Sequence, residues 1–414
     1  MTTGFESIPA GWKMSRLDRV ATVNARIGWK ALTAAEYQPE GYAFLATPNI
    51  KNPEIDYSNV NFISEFRYQE SPELQLSEGD VLLTKDGFTI GTVNIVRRLP
   101  RPATVNGSIA VLRSFGIHPR FLYYVIASSV TQEHIWTVKD GMDVLHLFQR
   151  DMKKFPIPLP PLQEQRQIAD YLDAEVGKIN SLMSKKLEIL SLLEERIDSR
   201  ILGHIGASRL VNPDSGLPVL PIRRMLSKMR RPPLAGGEVI TAFRDGQVTA
   251  RSLRRPDGYT LSSTTEAQGQ HVAAGDVVIH GLDGFAGAIG ASEVPGNCSP
   301  VYHACIPRNG GDSLFFGRLL RVLAVSGYLG LFAISTRERA VDFRNWDLFG
   351  RIPIPNVPLQ EQKEIGAWIS SVRPLRVTVG RANALAREHR QALITAAVTG
   401  QFDVSTTSGR GIEE

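Results

Sequence analysis

Between residues 163 and 202, apolar side chains recur at steps of three and four: Ile168, Leu172, Val176, Ile179, Leu182 or Met183, Leu187, Leu190, Leu193, Ile197 and Ile201. That spacing is one face of an α-helix, and Lys185, Lys186, Glu194 and Glu195 fall off it. Such a helix would be roughly 60 Å long at about 1.5 Å per residue. No small domain covers a rod of that length, so its stripe calls for a partner helix. A second run offers one, with Ile365, Ile369, Val372, Leu375, Val379, Leu385, His389, Leu393 and Ala396. Its smaller, alanine-rich seam predicts close packing. Pro374 interrupts the run, because proline inside a helix removes a hydrogen bond. Its counterpart in the first run is Gly177, another poor helix former. Both helices are therefore expected to bend or break at that level.

Elsewhere the pattern shortens. Residues 79–96 read GDVLLTKDGFTIGTVNIV, two β-rich runs around a glycine turn, which predicts a hairpin. Residues 275–291 read GDVVIHGLDGFAGAIGA, and the triplets Asp86-Gly87-Phe88 and Asp283-Gly284-Phe285 lie 197 positions apart. Helical stretches follow in both places, at 120–129 and 314–325. The same offset of 197 relates residues 155–165, FPIPLPPLQEQ, to residues 352–362, IPIPNVPLQEQ. Each phrase opens a segment that stays in register with its twin, without a gap, to Gly203 and Gly400. This is an internal repeat with two-fold pseudo-symmetry, in the order globular part, helix, globular part, helix. The prolines predict a rigid extended lead-in, and Glu164 and Glu361 occupy a first turn that favours acids. A chain built this way is expected to bind two copies of something, or two halves of one thing.

Composition adds little until its distribution is read. Hydrophobic residues make up 43% and charged residues 21%, which suits a folded protein with more than one core. A net charge of +5 and a pI near 9.2 invite polyanions only mildly. Residues 222–255 concentrate that charge, holding Arg223, Arg224, Lys228, Arg230, Arg231, Arg244, Arg251, Arg254 and Arg255 against only Glu238 and Asp245. Such a block is a solvated face or a nucleic-acid contact. Cys298 and Cys305 bracket His303 but lack a fourth ligand at a zinc spacing, so no metal is expected and both read as reduced thiols. The most apolar stretch, 322–335, falls short of the about 20 residues that span a bilayer. With no leader pattern at the start, a cytoplasmic location is expected.

The two P-I-P-x-x-P-L-Q-E-Q phrases, at 156–165 and 353–362, carry a resemblance. To them are added the GDVLLTKDGFTIG loop and the closing run from Leu393 to Gly400. From Gly11 to about Val404 the chain resembles the specificity subunits of type I restriction–modification systems. The resemblance implies an α+β fold: two globular mixed α/β target recognition domains joined by two long helices that form an antiparallel coiled coil. The boundaries follow the repeat, with a first recognition domain at 1–155 and a first spacer helix at 156–205. A second recognition domain spans 206–351 and a second spacer helix 352–404, before a flexible tail at 405–414. It also implies the partners: double-stranded DNA with a bipartite site, two methyltransferase subunits and, where present, two restriction (translocase–nuclease) subunits. The helix pair would act as a ruler for the gap between half-sites, whose dyad matches inverted domains. No cofactor is expected on this chain; S-adenosylmethionine is expected on the methyltransferase subunit, for adenine N6-methylation.

Chemical signatures are missing from the sequence. There is no G-x-x-x-x-G-K-[ST] loop, and Arg231-Pro232-Pro233-Leu234 does not match the Asn/Asp-Pro-Pro-aromatic tetrapeptide of amino-methyltransferases. A non-catalytic reading follows. The competing readings are a stand-alone enzyme, which would methylate or cleave DNA by itself, and a coiled-coil adaptor, which would show no salt-dependent DNA affinity. For DNA contact the glycine-turn loop offers Thr84, Lys85, Phe88 and Thr89, with Lys30, Arg97, Arg98 and Arg101 on phosphate. The second domain offers His280, Asp283 and Phe285, with Arg230, Arg231, Arg244, Arg251 and Arg254. The plainer readings make Phe88 and Phe285 core plugs, and Lys85 and His280 solvated turn residues. For methyltransferase docking, the helix starts offer Leu162, Gln163, Glu164 and Gln165, with Leu359, Gln360, Glu361 and Gln362. Their plainer reading is a polar first turn, and the docking reading expects charge reversal at Glu164 and Glu361 to spare folding.

Overall fold

The computed structural model describes residues 5, 8–25, 33–141, 144–254, 269–332 and 342–404. It divides into two compact units, Met1–Lys185 with Arg381–Glu414, and Lys186–Gly380. In the first unit the strands are β1 (Lys13–Arg16), β2 (Ala21–Asn24), β3 (Tyr42–Leu45), β4 (Asn61–Ile63), β5 (Val81–Thr84), β6 (Val93–Ile95), β7 (Ala103–Val105), β8 (Ile109–Ser114) and β9 (Pro156–Leu159). Its short helices are α1 (Glu65–Gln69), α2 (Pro119–Ala127), α3 (Ser129–Val138) and α4 (Gln149–Met152). An antiparallel sheet runs β2-β8-β5-β6, a second sheet runs β4-β3-β7, and β1 pairs with β9.

Strand β5 is buried along its whole length, which explains its continuous apolar run. Its alternate residues serve different cores. Val81 and Leu83 face a cluster with Phe121, Leu122 and Val125 of α2. Leu82 joins Leu45, Val105 and Val111 in another.

The second unit repeats the plan. It contains β10 (Val219–Pro221), β11 (Leu226–Lys228), β12 (Ile240–Ala242), β13 (Val248–Ala250), β14 (Gln270–Val272), β15 (Val277–His280), β16 (Ile289–Ala291), β17 (Gly296–Cys298), β18 (Tyr302–Pro307) and β19 (Pro353–Pro355). Its helices are α6 (Ile222–Met225), α7 (Ser313–Val325) and α8 (Trp346–Phe349). The main sheet runs β11-β18-β15-β16, and β10 pairs with β19 as β1 does with β9. Val277 and Ile279 face Phe315, Leu319 and Leu323 of α7, while Val278 faces Ile240, Val248 and Val272.

One carboxylate opens the central strand of each main sheet. Asp80, 1% exposed, takes two hydrogen bonds from Arg113, of 2.8 and 2.7 Å, and one from the Ser77 amide. Asp276, 2% exposed, is gripped by both terminal nitrogens of Arg231 and by the Ala273 amide. The Gly-Asp-Val spelling is thus a turn clamp in both units.

Two long helices complete the units: α5 (Leu162–Gly206) and α9 (Leu359–Thr399). Within the first unit, Ile168, Ala169 and Leu172 of α5 share a core with Ile394, Ala397 and Val398 of α9. Within the second, Ile197 and Ile201 share one with Ile365 and Val372. The ladder is antiparallel, with Arg376 bonded to Glu194 and Arg200 to Glu361.

Neither helix breaks at Gly177 or Pro374, against expectation. The Pro374 ring leaves the Ser370 carbonyl without its donor, and Ser370 is exposed, where water can serve that carbonyl. The apolar stripes were also traced too simply. Leu182, Leu187, Leu375 and Leu385 are 45–65% exposed. Ile365 and Val372 of the predicted stripe do face inward, and beside them α9 carries a heptad of mixed polarity, running Ile369, Arg376, Asn383, Arg390 and Ala397. Arg390 donates to Asn180 at 2.7 Å, and Asn383 is 3% exposed. Polar residues at such positions fix register at some cost in stability.

The repeated Leu-Gln-Glu-Gln phrase has a structural cause. Gln165 donates to the Pro160 carbonyl at 2.9 Å and accepts the His118 amide at 2.8 Å. Gln362 donates to the Val357 carbonyl at 2.7 Å and accepts the Asp312 amide at 3.3 Å. His118 and Asp312 are the N-caps of α2 and α7. Each glutamine therefore ties the proline lead-in, a long helix and a short helix at one buried point. Replacing either with alanine leaves a buried donor and acceptor unmet, which costs about 2 kcal/mol. Urea unfolding of Gln165→Ala and Gln362→Ala should show losses of that order; unchanged midpoints would reject the clamp.

Candidate nucleic-acid interface

In the first unit the β5–β6 turn presents Phe88 to solvent at 88% exposure. The turn is built to hold it there. Gly87 and Gly91 take φ values of +92° and +88°, which side chains avoid. Backbone bonds run from Gly87 to Leu145, Ile90 to Gly87, Gly91 to Thr84 and Thr92 to Thr89. Ile90, 5% exposed, anchors the turn from beneath. The core-plug reading of Phe88 is therefore overturned: the neighbouring isoleucine is the plug. Thr89 is exposed beside it.

Other sequence candidates move away from this turn. Thr84 is 0% exposed and cannot touch a macromolecule, because it belongs to the fully buried β5. Lys85 is bonded to Asp86, which also meets His146 Nδ1 at 2.9 Å. Arg97, Arg98 and Arg101 lie past the far end of β6, since an antiparallel hairpin carries the chain away from its turn. Arg97 bonds Asp173 at 3.0 Å and lies over the Tyr123 ring, so it braces α5. Arg101 lies over Phe62, and Arg98 is exposed. Lys30 lies outside the described residues.

The structure substitutes residues that sequence reading missed. Leu147 donates its amide to the Lys85 carbonyl at 2.8 Å, and Gln132 donates to the Gly91 carbonyl at 2.9 Å. These bonds bring α3 and the segment before α4 to the turn. There Trp136, 53% exposed, carries Lys139 over its ring at 4.7 Å, and Phe148, 42% exposed, carries Arg150 at 4.7 Å. Exposed aromatics alternating with cations suit nucleic acid, where rings meet bases and cations meet phosphate. The signal was present as Trp136-x-x-Lys139 and Phe148-x-Arg150, short pairs that carry no meaning until the fold assembles them.

In the second unit the corresponding turn exposes Phe285 by 41% and Leu282 by 44%, so neither aromatic is a buried plug. His280 faces inward. Its Nδ1 accepts the Leu282 and Asp283 amides at 3.1 and 2.9 Å, and burial lowers its pKa, so the neutral ring organises the turn. Asp283 holds Arg244 at 3.0 Å. Arg231 is withdrawn as a phosphate contact by its Asp276 clamp. Arg254 bonds Asp245 at 3.0 Å and covers Phe243, so it too has internal partners. Arg230 is exposed and Arg251 half-buried.

The docking candidates divide similarly. Gln165 and Gln362 are buried structural clamps, as described above. Glu164 accepts from Trp12 Nε1 at 3.0 Å, and Glu361 accepts from Arg200 at 2.9 Å and lies 3.3 Å from His204. The Arg200 hydrogen bond holds the Glu361 carboxyl below its usual pKa. Both carboxylates are half-exposed, so these pairs contribute about 1 kcal/mol or less each. Leu162 and Leu359 are 51% and 41% exposed, and Gln163 and Gln360 are exposed beside them. Leu162 borders an open cleft with Lys13, Phe115 and Arg166, and Leu359 one with Lys363 and Ala367.

Among the described residues no cluster of three or more His, Cys, Asp or Glu could hold a metal. Cys298 and Cys305 are buried free thiols. His303 Nε2 meets the Phe343 carbonyl at 2.7 Å, and burial pushes its pKa down to about 4. No helix among the described residues is long and apolar enough to cross a membrane.

Residues 9–191 match the family model described as the type I restriction modification DNA specificity domain. The type I restriction enzyme MjaVIII specificity subunit of Methanocaldococcus jannaschii is 23% identical over 200 residues, 47% of this chain and 46% of that one. The EcoKI specificity subunit of Escherichia coli is 22% identical over 198 residues, 47% of this chain and 42% of the relative. The matched stretch thus spans less than half the length of these curated relatives. A solved chain from work on complex assembly and conformational transition of the type I R-M system shares the fold. Its TM-score is 0.58 at 16% identity, over 96% of this chain and 100% of that one.

Proposed function

We propose, on the premise that residues 9–191 of this chain belong to the type I restriction modification DNA specificity domain family, that the whole chain is the sequence-reading subunit of a type I modification complex. The observation that carries this reading is the doubled turn, set on the same four-strand order in both units, with Phe88 and Phe285 outermost. Two such turns suit a bipartite duplex site, one per half-site. The chain is read as non-catalytic, with adenine N6-methylation supplied by two methyltransferase subunits that carry S-adenosylmethionine and flip the target base. Restriction subunits join the same complex where the system has them. The helix pair α5 and α9 sets the unread spacer. This complex works in the cytoplasm.

Co-expression with the neighbouring methyltransferase subunit in a methylation-free host tests this. Genomic N6-methyladenine is expected at a split motif, one adenine per strand across a fixed gap. A stable complex that leaves no marks would overturn the reading.

The methyltransferase subunits dock on the exposed leucines at the helix starts, Leu162 and Leu359. A Leu162→Asp, Leu359→Asp double variant should fold normally, since exposed substitutions stay within about 0.5 kcal/mol each. It should fail to retain the methyltransferase subunit on co-purification. Full retention would place the docking surface elsewhere.

A further inference from the structure

The second unit contains a charged cavity that the DNA-reading role does not use. It has a volume of about 50 Å³, several times the roughly 10–15 Å³ that admits one water. Four arginines reach it: Arg318 and Arg321 from α7, and Arg373 and Arg376 from α9. Their carboxylate partners are unevenly shared. Arg318 takes Asp198 in a two-pronged pair, with one contact at 2.8 Å, and Arg376 takes Glu194. Asp245, on the cavity wall, is occupied by Arg254 at 2.9 Å. Glu293 accepts from Gln247 at 2.9 Å and stays 4.0 Å from Arg373.

Two guanidinium groups are left under-served. Among the described residues, Arg321 has its nearest carboxylate oxygen at 3.9 Å, and its buried Nε has no hydrogen-bond partner. Arg373 has only the Ala291 carbonyl, at 2.9 Å, within hydrogen-bonding distance among the described residues. Burial, together with the neighbouring arginines, lowers the pKa of both groups, as expected for cations short of counter-charge. A half-buried guanidinium short of partners is costly, and a tetrahedral oxyanion is the group whose geometry suits several arginine donors at once.

We propose that this cavity binds a single phosphate-sized oxyanion between Arg321 and Arg373. Arg318 and Arg376, already paired, form its walls. The anion would join α7 to α9 within the second unit and so set the stability of that unit.

The test uses the full chain purified in phosphate-free buffer, with inorganic phosphate as the probe. Equilibrium dialysis should show one saturable phosphate per chain. The unfolding midpoint should rise with phosphate but not with chloride at equal ionic strength. Arg321→Met and Arg373→Met should each weaken phosphate binding by about tenfold or more, and Arg321→Lys, which keeps the charge, should lose less. Absence of saturable binding to the wild-type chain would overturn the proposal. So would wild-type affinity in both methionine variants, which would locate bound phosphate on the exposed basic surface.

Discussion

Replacing Arg231 with alanine should lower the unfolding free energy by about 3 kcal/mol, because breaking a buried ion pair strands the remaining charge. Asp276 is that charge: its side chain is 3% exposed, and Arg231 supplies both of its charged donors. The adjacent Arg230 is exposed. Arg230→Ala should therefore leave stability within about 0.5 kcal/mol of the parent while weakening DNA affinity and flattening its salt dependence. Urea unfolding of the two variants, with binding measured across a salt series, separates the roles. Equal stability in both would show that the Asp276 clamp is dispensable, and Arg231 would return as a phosphate contact.

Phe88→Ala carries the second large effect, on binding rather than folding. A ring that is 88% exposed contributes almost nothing to the core, so the unfolding midpoint should not move. An aromatic contact to a base is worth about 1–3 kcal/mol by alanine substitution, roughly fivefold to 150-fold in affinity. The loss should appear in duplex binding by the complex with its methyltransferase subunit, at fixed salt. Phe88→Trp, which keeps an aromatic face, should retain most of the affinity. Unchanged affinity in Phe88→Ala would remove the turn from the interface and shift attention to Trp136 and Phe148.

The turn clamps and the helix-start clamps act in the same way. Asp80 and Asp276 fix where each central strand begins, and the strand then delivers its turn to the surface. Gln165 and Gln362 fix where each long helix begins. The Leu-Gln-Glu-Gln spelling thus owes its last residue to folding, while its leucine stays exposed. A duplicated phrase can mark a duplicated fold requirement as readily as a duplicated contact, and here the individual residues divide between the two.

By itself the sequence determined the repeat, both long helices, both hairpins and the short helices after them. Each depends on short-range information: helical periodicity, alternation along a strand, glycine at turns and proline before a helix. It also marked the pair of matching turns, through the doubled Asp-Gly-Phe triplet. Only the tertiary structure decided which side chains remained free to act. Arg230 and Arg231 are neighbours in the chain, yet one is exposed and the other is committed to a carboxylate 45 residues away. Thr84 and Phe88 share one loop spelling, and one is buried while the other is fully presented. The seam of α9 had to be read through half-buried Arg376 and Arg390 and buried Asn383, which no apolar pattern signals. Trp136, Lys139, Phe148 and Arg150 reached the turn through backbone bonds of Leu145 and Leu147 with Gly87 and Lys85, and through the Gln132 side chain on the Gly91 carbonyl. The physical reason is common to all of these: backbone conformation follows local sequence, whereas the partner a charged or aromatic side chain finds depends on residues that approach only when the chain has folded.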